Sequence, residues 1–185
     1  MWKLRRILLS RKQATKPELA DLTGLSVVTV NALITRMLEW GEVTEGGTAP
    51  SPGGRPSARY AYRFGFRKAA VVCAHQSQGK TVIRAFVTDL GGERLWEKRD
   101  VKEEIAADSF DALLDEAVRR FPDISLIALG LPGEAWNDLV SICDFQALTG
   151  TAFLPRLRER YGLPVLFEND INAMVFGFGL RTGHS

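Results

Sequence analysis

Cysteine and histidine are scarce, with two of each in 185 residues. Cys73 and Cys143 sit in separate apolar stretches with no metal-ligand spacing, which argues against a metal cluster and against a disulfide framework. Both are expected to be buried, reduced thiols, and no metal or cofactor is expected. Long apolar runs are missing too: none approaches the ~20 residues a membrane-spanning helix needs. The opening "MWKLRRILLSRKQ" has a basic start and a short apolar run. More basic residues follow it and no small-residue cleavage site does, so a signal peptide is not expected. These features point to the cytoplasm, with no membrane partner.

Acidic charge is scarce at one end only. Residues 1–68 hold 12 Lys/Arg against 5 Asp/Glu, a surplus of +7, whereas residues 69–185 hold 12 against 17, a balance of −5. The first stretch suits a polyanion and the second does not. Apolar residues make up 45% of the chain, enough for a real core.

Three helical patterns are legible in residues 2–40. Trp2, Leu4, Ile7 and Leu8 supply the apolar positions of the first. The second opens at "TKPE", where Thr15 and Glu18 have capping-box spacing and Pro17 falls in the first turn, and it runs out at Gly24. The third opens at Ser26, a good N-cap, and sets Val30, Leu33, Ile34, Met37 and Leu38 on one face before Gly41 stops it. Between helices two and three, small Ala20, turn-forming Gly24 and corner-filling Leu25 have the spacing of a DNA-binding helix-turn-helix. Ser26, Val27, Val28, Thr29, Asn31, Ala32, Thr35 and Arg36 are then left to face a duplex. Asn31 suits adenine, Val28 or Ala32 a thymine methyl, and Thr29, Thr35 and Arg36 phosphates or bases. A merely solvated helix face is the alternative for each. Next, "EVTEGGTAPSPGGRPSARYAYR" reads as strand, Gly/Pro-rich loop and strand, which makes a winged helix of residues 1–66. Its tip carries Arg55 and Arg59 for a minor groove or a phosphate, or else serves as a flexible linker.

From Ala69 the pattern changes. "AAVVCAHQ", "TVIRAFVTDL" and "ERLWEKRDV" are strand-like runs joined by tight turns, which makes an antiparallel meander. A helix over 108–121, N-capped by Asp or Ser, is expected next. The apolar strand "ISLIALGLPG", a helix around 152–161 and the buried strand "PVLFEND" follow. Meander, helix, strand, helix, strand is the order of one lobe of the actin/hexokinase-like (ribonuclease H-like) ATPase fold. The fold class is therefore α+β: a winged helix-turn-helix over 1–66 and one α/β lobe over 67–185.

The winged helix, "GGRP", "LGLPG" and "YGLPVLFENDINA", in that order, resemble the ROK family of transcriptional repressors and sugar kinases along essentially the whole chain. The resemblance implies a sugar-sensing lobe. In the family's kinases, the strand-end aspartate accepts a sugar hydroxyl proton and the adjacent asparagine bonds the sugar. Those positions are Asp170 and Asn169, with Gly133 lining the same cleft, so Asp170 is a vestigial base candidate. The kinases carry an Asp-x-Gly-Gly-Thr-like phosphate loop at the first hairpin, where this chain has "CAHQSQGK". The family's second lobe, with its sugar-binding Glu and His and its zinc-binding His/Cys cluster, would begin after Ser185, and His184 matches neither motif. "FQALTGTAFL" lacks a tryptophan common in the family, while Trp136 either stacks on a sugar or packs on its own lobe.

The expected function is a sequence-specific DNA-binding repressor of sugar-related genes that takes a sugar or sugar derivative as effector. It is not expected to be an enzyme, and it is expected to read double-stranded DNA as a homodimer. The alternative is a ROK-type sugar kinase with an accessory DNA-binding domain.

Overall fold

In the computed structural model, which describes residues 1–49 and 56–175, the chain divides into Met1–Phe66 and Arg67–Ser185. The first unit runs α1 (Trp2–Arg11), β1 (Gln13–Thr15), α2 (Lys16–Thr23), α3 (Val27–Glu39), β2 (Val43–Ala49) and β3 (Ser57–Tyr62). The strands form an antiparallel sheet in the order β1-β3-β2. Strand β1 has no counterpart in the sequence reading, because three residues are too short to show a period.

Local chemistry sets the helix ends. At the start of α2, Thr15 Oγ1 accepts from the Glu18 amide (3.3 Å) and Glu18 Oε2 accepts from the Thr15 amide (2.7 Å), a complete capping box. Gly24 closes α2 in the left-handed conformation (φ +71°), which a side chain would strain. Ser26 Oγ accepts from the Thr29 amide at 3.1 Å and opens α3. At the other end, the Gly41 amide donates to Leu38 O and the Glu42 amide to Met37 O, a Schellman stop with Gly41 at φ +71°. Val30, Ile34 and Met37 are buried with Leu4, Leu8, Leu19 and Tyr60, while Leu33 and Leu38 pack at the edge of that core. Each such burial contributes about 1.5–3 kcal/mol. Trp2, expected on the apolar face of α1, is instead 65% exposed.

The second unit has a five-stranded sheet in the order β10-β7-β4-β5-β6. Its strands are β4 (Lys68–Ser77), β5 (Lys80–Asp89), β6 (Arg94–Lys102), β7 (Ile124–Leu131) and β10 (Val165–Asn169). β4, β5 and β6 form the antiparallel meander, and β7 and β10 add in parallel. Helix α4 (Asp111–Arg120) links β6 to β7, and α5 (Phe153–Tyr161) leads into β10. Phe110, Leu113 and Leu114 pack with Phe153, Leu154 and Leu157 in one core. Arg156 grips Asp111 with two bonds of 2.7 and 2.9 Å, tying α5 to α4.

Two local expectations are corrected. Helix α4 starts at Asp111 with Phe110 at the N-cap and no side-chain cap. Ser109 Oγ instead accepts from the Ala106 amide at 2.9 Å, so its oxygen is spent in the preceding turn. The run "ISLIALGLPG" reads as a strand that ends in a Gly-Pro-Gly loop, but past Pro132 the chain forms a hairpin of β8 (Gly133–Trp136) and β9 (Leu139–Cys143).

Candidate nucleic-acid interface and cleft wall

Helices α2 and α3 cross at 115°, within the range of DNA-reading helix-turn-helix units. With the apolar stripe of α3 buried, Val27 (53% exposed), Val28 (80%), Thr29, Asn31, Ala32, Thr35 and Arg36 face outward. Ser26 is exposed as well, but its hydroxyl is engaged in capping α3 and lies 2.9 Å from Thr29 Oγ1. The Arg36 guanidinium lies 5.8 Å from the centre of the Trp40 ring, a cation–π contact that holds it at the helix's last turn.

Lys16 joins this surface, and the sequence reading passed over it. Its ammonium donates to Asn31 Oδ1 at 2.5 Å and lies 5.0 Å from the Tyr60 ring centre. Arg59 sits on β3 opposite Thr15. The Thr15 amide and hydroxyl hold the Glu18 carboxyl below its usual range, with Arg59 and Arg11 adding to the effect. Arg55 lies outside the described residues. The basic surplus counted from sequence is not all available, because Arg5 is bound to buried Glu42 through two bonds of 2.6 and 2.9 Å.

In the second unit, β10 ends in Asn169 and a helical turn begins at 170. Asn169 Oδ1 accepts from the Ile171 and Asn172 amides at 3.0 and 3.3 Å, making Asn169 an N-cap. Its Nδ2 donates to Gly133 O at 3.2 Å, which leaves one amide hydrogen for a ligand. Asp170 Oδ1 accepts from the Ile171 amide at 2.9 Å, leaving Oδ2 for a ligand.

The three residues do not share one hollow. Gly133 and Asn169 line an open depression of about 540 Å³ with Phe167, Glu168 and Asn172. Asp170 lines another of about 510 Å³ with His75, Gln76, Pro132, Asp144 and Gln146. Packing alone accounts for Gly133: a Cβ there would stand 2.4 Å from Ile142 O and 2.9 Å from Cys143 Cα. Trp136 is 74% exposed on the hairpin and lines neither depression.

The β4–β5 turn places Gln78 (φ +53°) and Gly79 (φ +75°) both left-handed, a tight two-residue hairpin turn. Lys80 there pairs with Glu103 at 2.7 Å. Burial pushes the thiols of Cys73 and Cys143 up, so both stay protonated near neutrality, although Cys73 is only half-buried. Among the described residues, no three His, Cys, Asp or Glu side chains cluster to hold a metal ion. No single helix there is long and apolar enough to cross a membrane.

The winged helix and the lobe that follows it are similar in fold and in sequence to known transcriptional regulators. The comparisons agree in fold and in sequence. The fold is similar to that of a ROK family transcriptional regulator, a homologue of the E. coli MLC protein, with TM-score 0.65 and 20% identity over 90% of this chain and 44% of that one. In sequence, the chain is 25% identical over 181 residues to a putative xylose repressor of Caldicellulosiruptor sp. (strain Rt8B.4), covering 92% of this chain and 44% of the relative. It is 23% identical to the xylose repressor of Bacillus subtilis (strain 168), covering 96% and 48%. Part of the chain is also similar in fold to a putative N-acetylmannosamine kinase from Listeria monocytogenes, with TM-score 0.52 and 20% identity over 61% of this chain and 38% of that one. No protein-family model matches. The chain spans about half the length of the curated relatives it matches.

Proposed function

We propose that the chain is a sequence-specific DNA-binding repressor of sugar-related genes, working in the cytoplasm as a homodimer. The winged helix reads the duplex, and the α/β lobe supplies one wall of a sugar-sensing cleft. The outward face of α3 carries this reading. A capped helix, crossing its partner at 115°, presents Val27, Val28, Thr29, Asn31, Thr35 and Arg36 with no acid among them. Arg59 on β3, and Arg55, which the sequence sets between β2 and β3, would serve phosphates or the minor groove. Ser26 would contribute through its exposed backbone end of the helix.

For the effector, the free Nδ2 hydrogen of Asn169 and the free Asp170 Oδ2 suit sugar hydroxyls. The relatives named as xylose repressors make xylose the first sugar to test. We read the chain as a regulator and not as a kinase, because Lys80 is paired with Glu103 and the β4–β5 turn is a plain hairpin closure. Selection from a randomised duplex pool tests the central reading. Enrichment of one motif, with weaker retention when xylose or glucose is added, is the expected outcome; a pool that stays random would refute it.

A further inference from the structure

Lys16 belongs to α2, yet its ammonium is bonded to a side chain on the reading face of α3. Two contacts hold it: the 2.5 Å bond to Asn31 Oδ1 and the Tyr60 ring 5.0 Å away. Tyr60 is 4% exposed and forms a fixed platform. The capping box at Thr15 anchors the backbone from which Lys16 projects. The ammonium also decides how the Asn31 amide points. Turning Nδ2 toward it would set donor against donor, so the oxygen faces Lys16.

A free asparagine matches adenine, accepting from N6 and donating to N7. Here a cation takes one lone pair of the amide oxygen, and an adenine amino group approaching the other would meet the remaining ammonium N–H groups. What the pair turns outward is donors: the Asn31 Nδ2 hydrogens and the remaining Lys16 N–H groups. The major-groove edge with two adjacent acceptors is guanine, at N7 and O6. Building on the DNA-reading assignment above, we propose that Lys16 and Asn31 form one reading unit for guanine, with Lys16 setting the specificity. This replaces the adenine pairing that Asn31 alone suggests. A lysine that served only a phosphate would lower affinity uniformly and leave base preference unchanged.

The test selects duplexes from a randomised pool with the full wild-type chain, Lys16→Met and Lys16→Arg, with thermal unfolding to confirm that each is folded. The wild type is expected to enrich a site with one guanine per half-site. Replacing that guanine by 7-deazaguanine, which lacks the N7 acceptor, should weaken wild-type binding about tenfold. Lys16→Met should lose the guanine preference and move toward adenine, while Lys16→Arg keeps it. Several results would overturn the proposal: an adenine preference in the wild type, no effect of 7-deazaguanine, or a Lys16→Met variant that binds more weakly with unchanged preference. If the wild type enriches no motif, the DNA-reading assignment falls and this proposal falls with it. A motif that is enriched but indifferent to Lys16 overturns the guanine reading alone.

Discussion

Glu42 shows what a single residue does in this fold. Its side chain is 1% exposed and accepts two bonds from Arg5 and a third, of 2.9 Å, from the Tyr62 hydroxyl. Those contacts tie α1 to the start of β2 and to β3, and so hold the wing against the helices. Buried charge is tolerated only when it is paired and hydrogen-bonded, and here it is. Glu42→Ala removes the acceptor of this Tyr62 bond and both Arg5 bonds, while Arg5, 40% exposed, turns to water. A loss of about 2 kcal/mol is expected, measured as hydrogen exchange of peptides from residues 1–49 across a urea series. No spacing rule links residues 5, 42 and 62, so sequence counts Glu42 only as one acid among five. The Lys16–Asn31 bond was hidden for the same reason, since its partners lie on different helices. The helix caps at Thr15, Ser26, Gly24 and Gly41, by contrast, depend on neighbours within a few residues and were legible directly.

At the scale of elements, periodicity revealed α3 and the meander, because a stripe of Val30, Ile34 and Met37 or an alternating strand writes its burial into the sequence. The β8–β9 hairpin was missed although it carries a signal. Asn137 (φ +47°) and Asp138 (φ +68°) both adopt the left-handed turn conformation that such residues favour between strands. That hairpin rests on Gly133. Gly133→Ala forces a Cβ against Ile142 O and should cost about 1–3 kcal/mol, read as a lower melting temperature of the second unit. The packing of α4 on α5 has a pH signature. Arg160 holds the Asp115 carboxyl below its usual range, as Thr15 does for Glu18. A carboxyl depressed in the folded state contributes its stability above the unfolded value. It loses that contribution as pH falls through the folded one. The melting temperature should therefore be flat from neutrality to about pH 5 and drop below about pH 4. Asp115→Asn should make that acid limb shallower. Both carboxyls are largely exposed, so each contribution is modest.

For the whole molecule, the charge division seen in the sequence has a structural counterpart, with the basic surplus on the unit that carries the winged helix. Part of it is structural, as Arg5 shows, and the reading face itself mixes apolar, polar and cationic side chains. Asn169 caps the turn that begins at 170 and bonds across to Gly133 O, Asp170 bonds the Ile171 amide, and among the described residues one Asn169 amide hydrogen and Asp170 Oδ2 have no partner. On the proposed reading, residues 1–66 bind duplex DNA through cationic and α3 side chains. Fluorescence anisotropy of the selected duplex, repeated across salt concentrations, tests it most directly. Log affinity should fall linearly with log salt, with a slope of about −0.9 for each phosphate neutralised. The double variant Arg36→Ala/Arg59→Ala should bind more weakly and lose about one to two units of that slope. An affinity independent of salt and unchanged in the double variant would contradict the account.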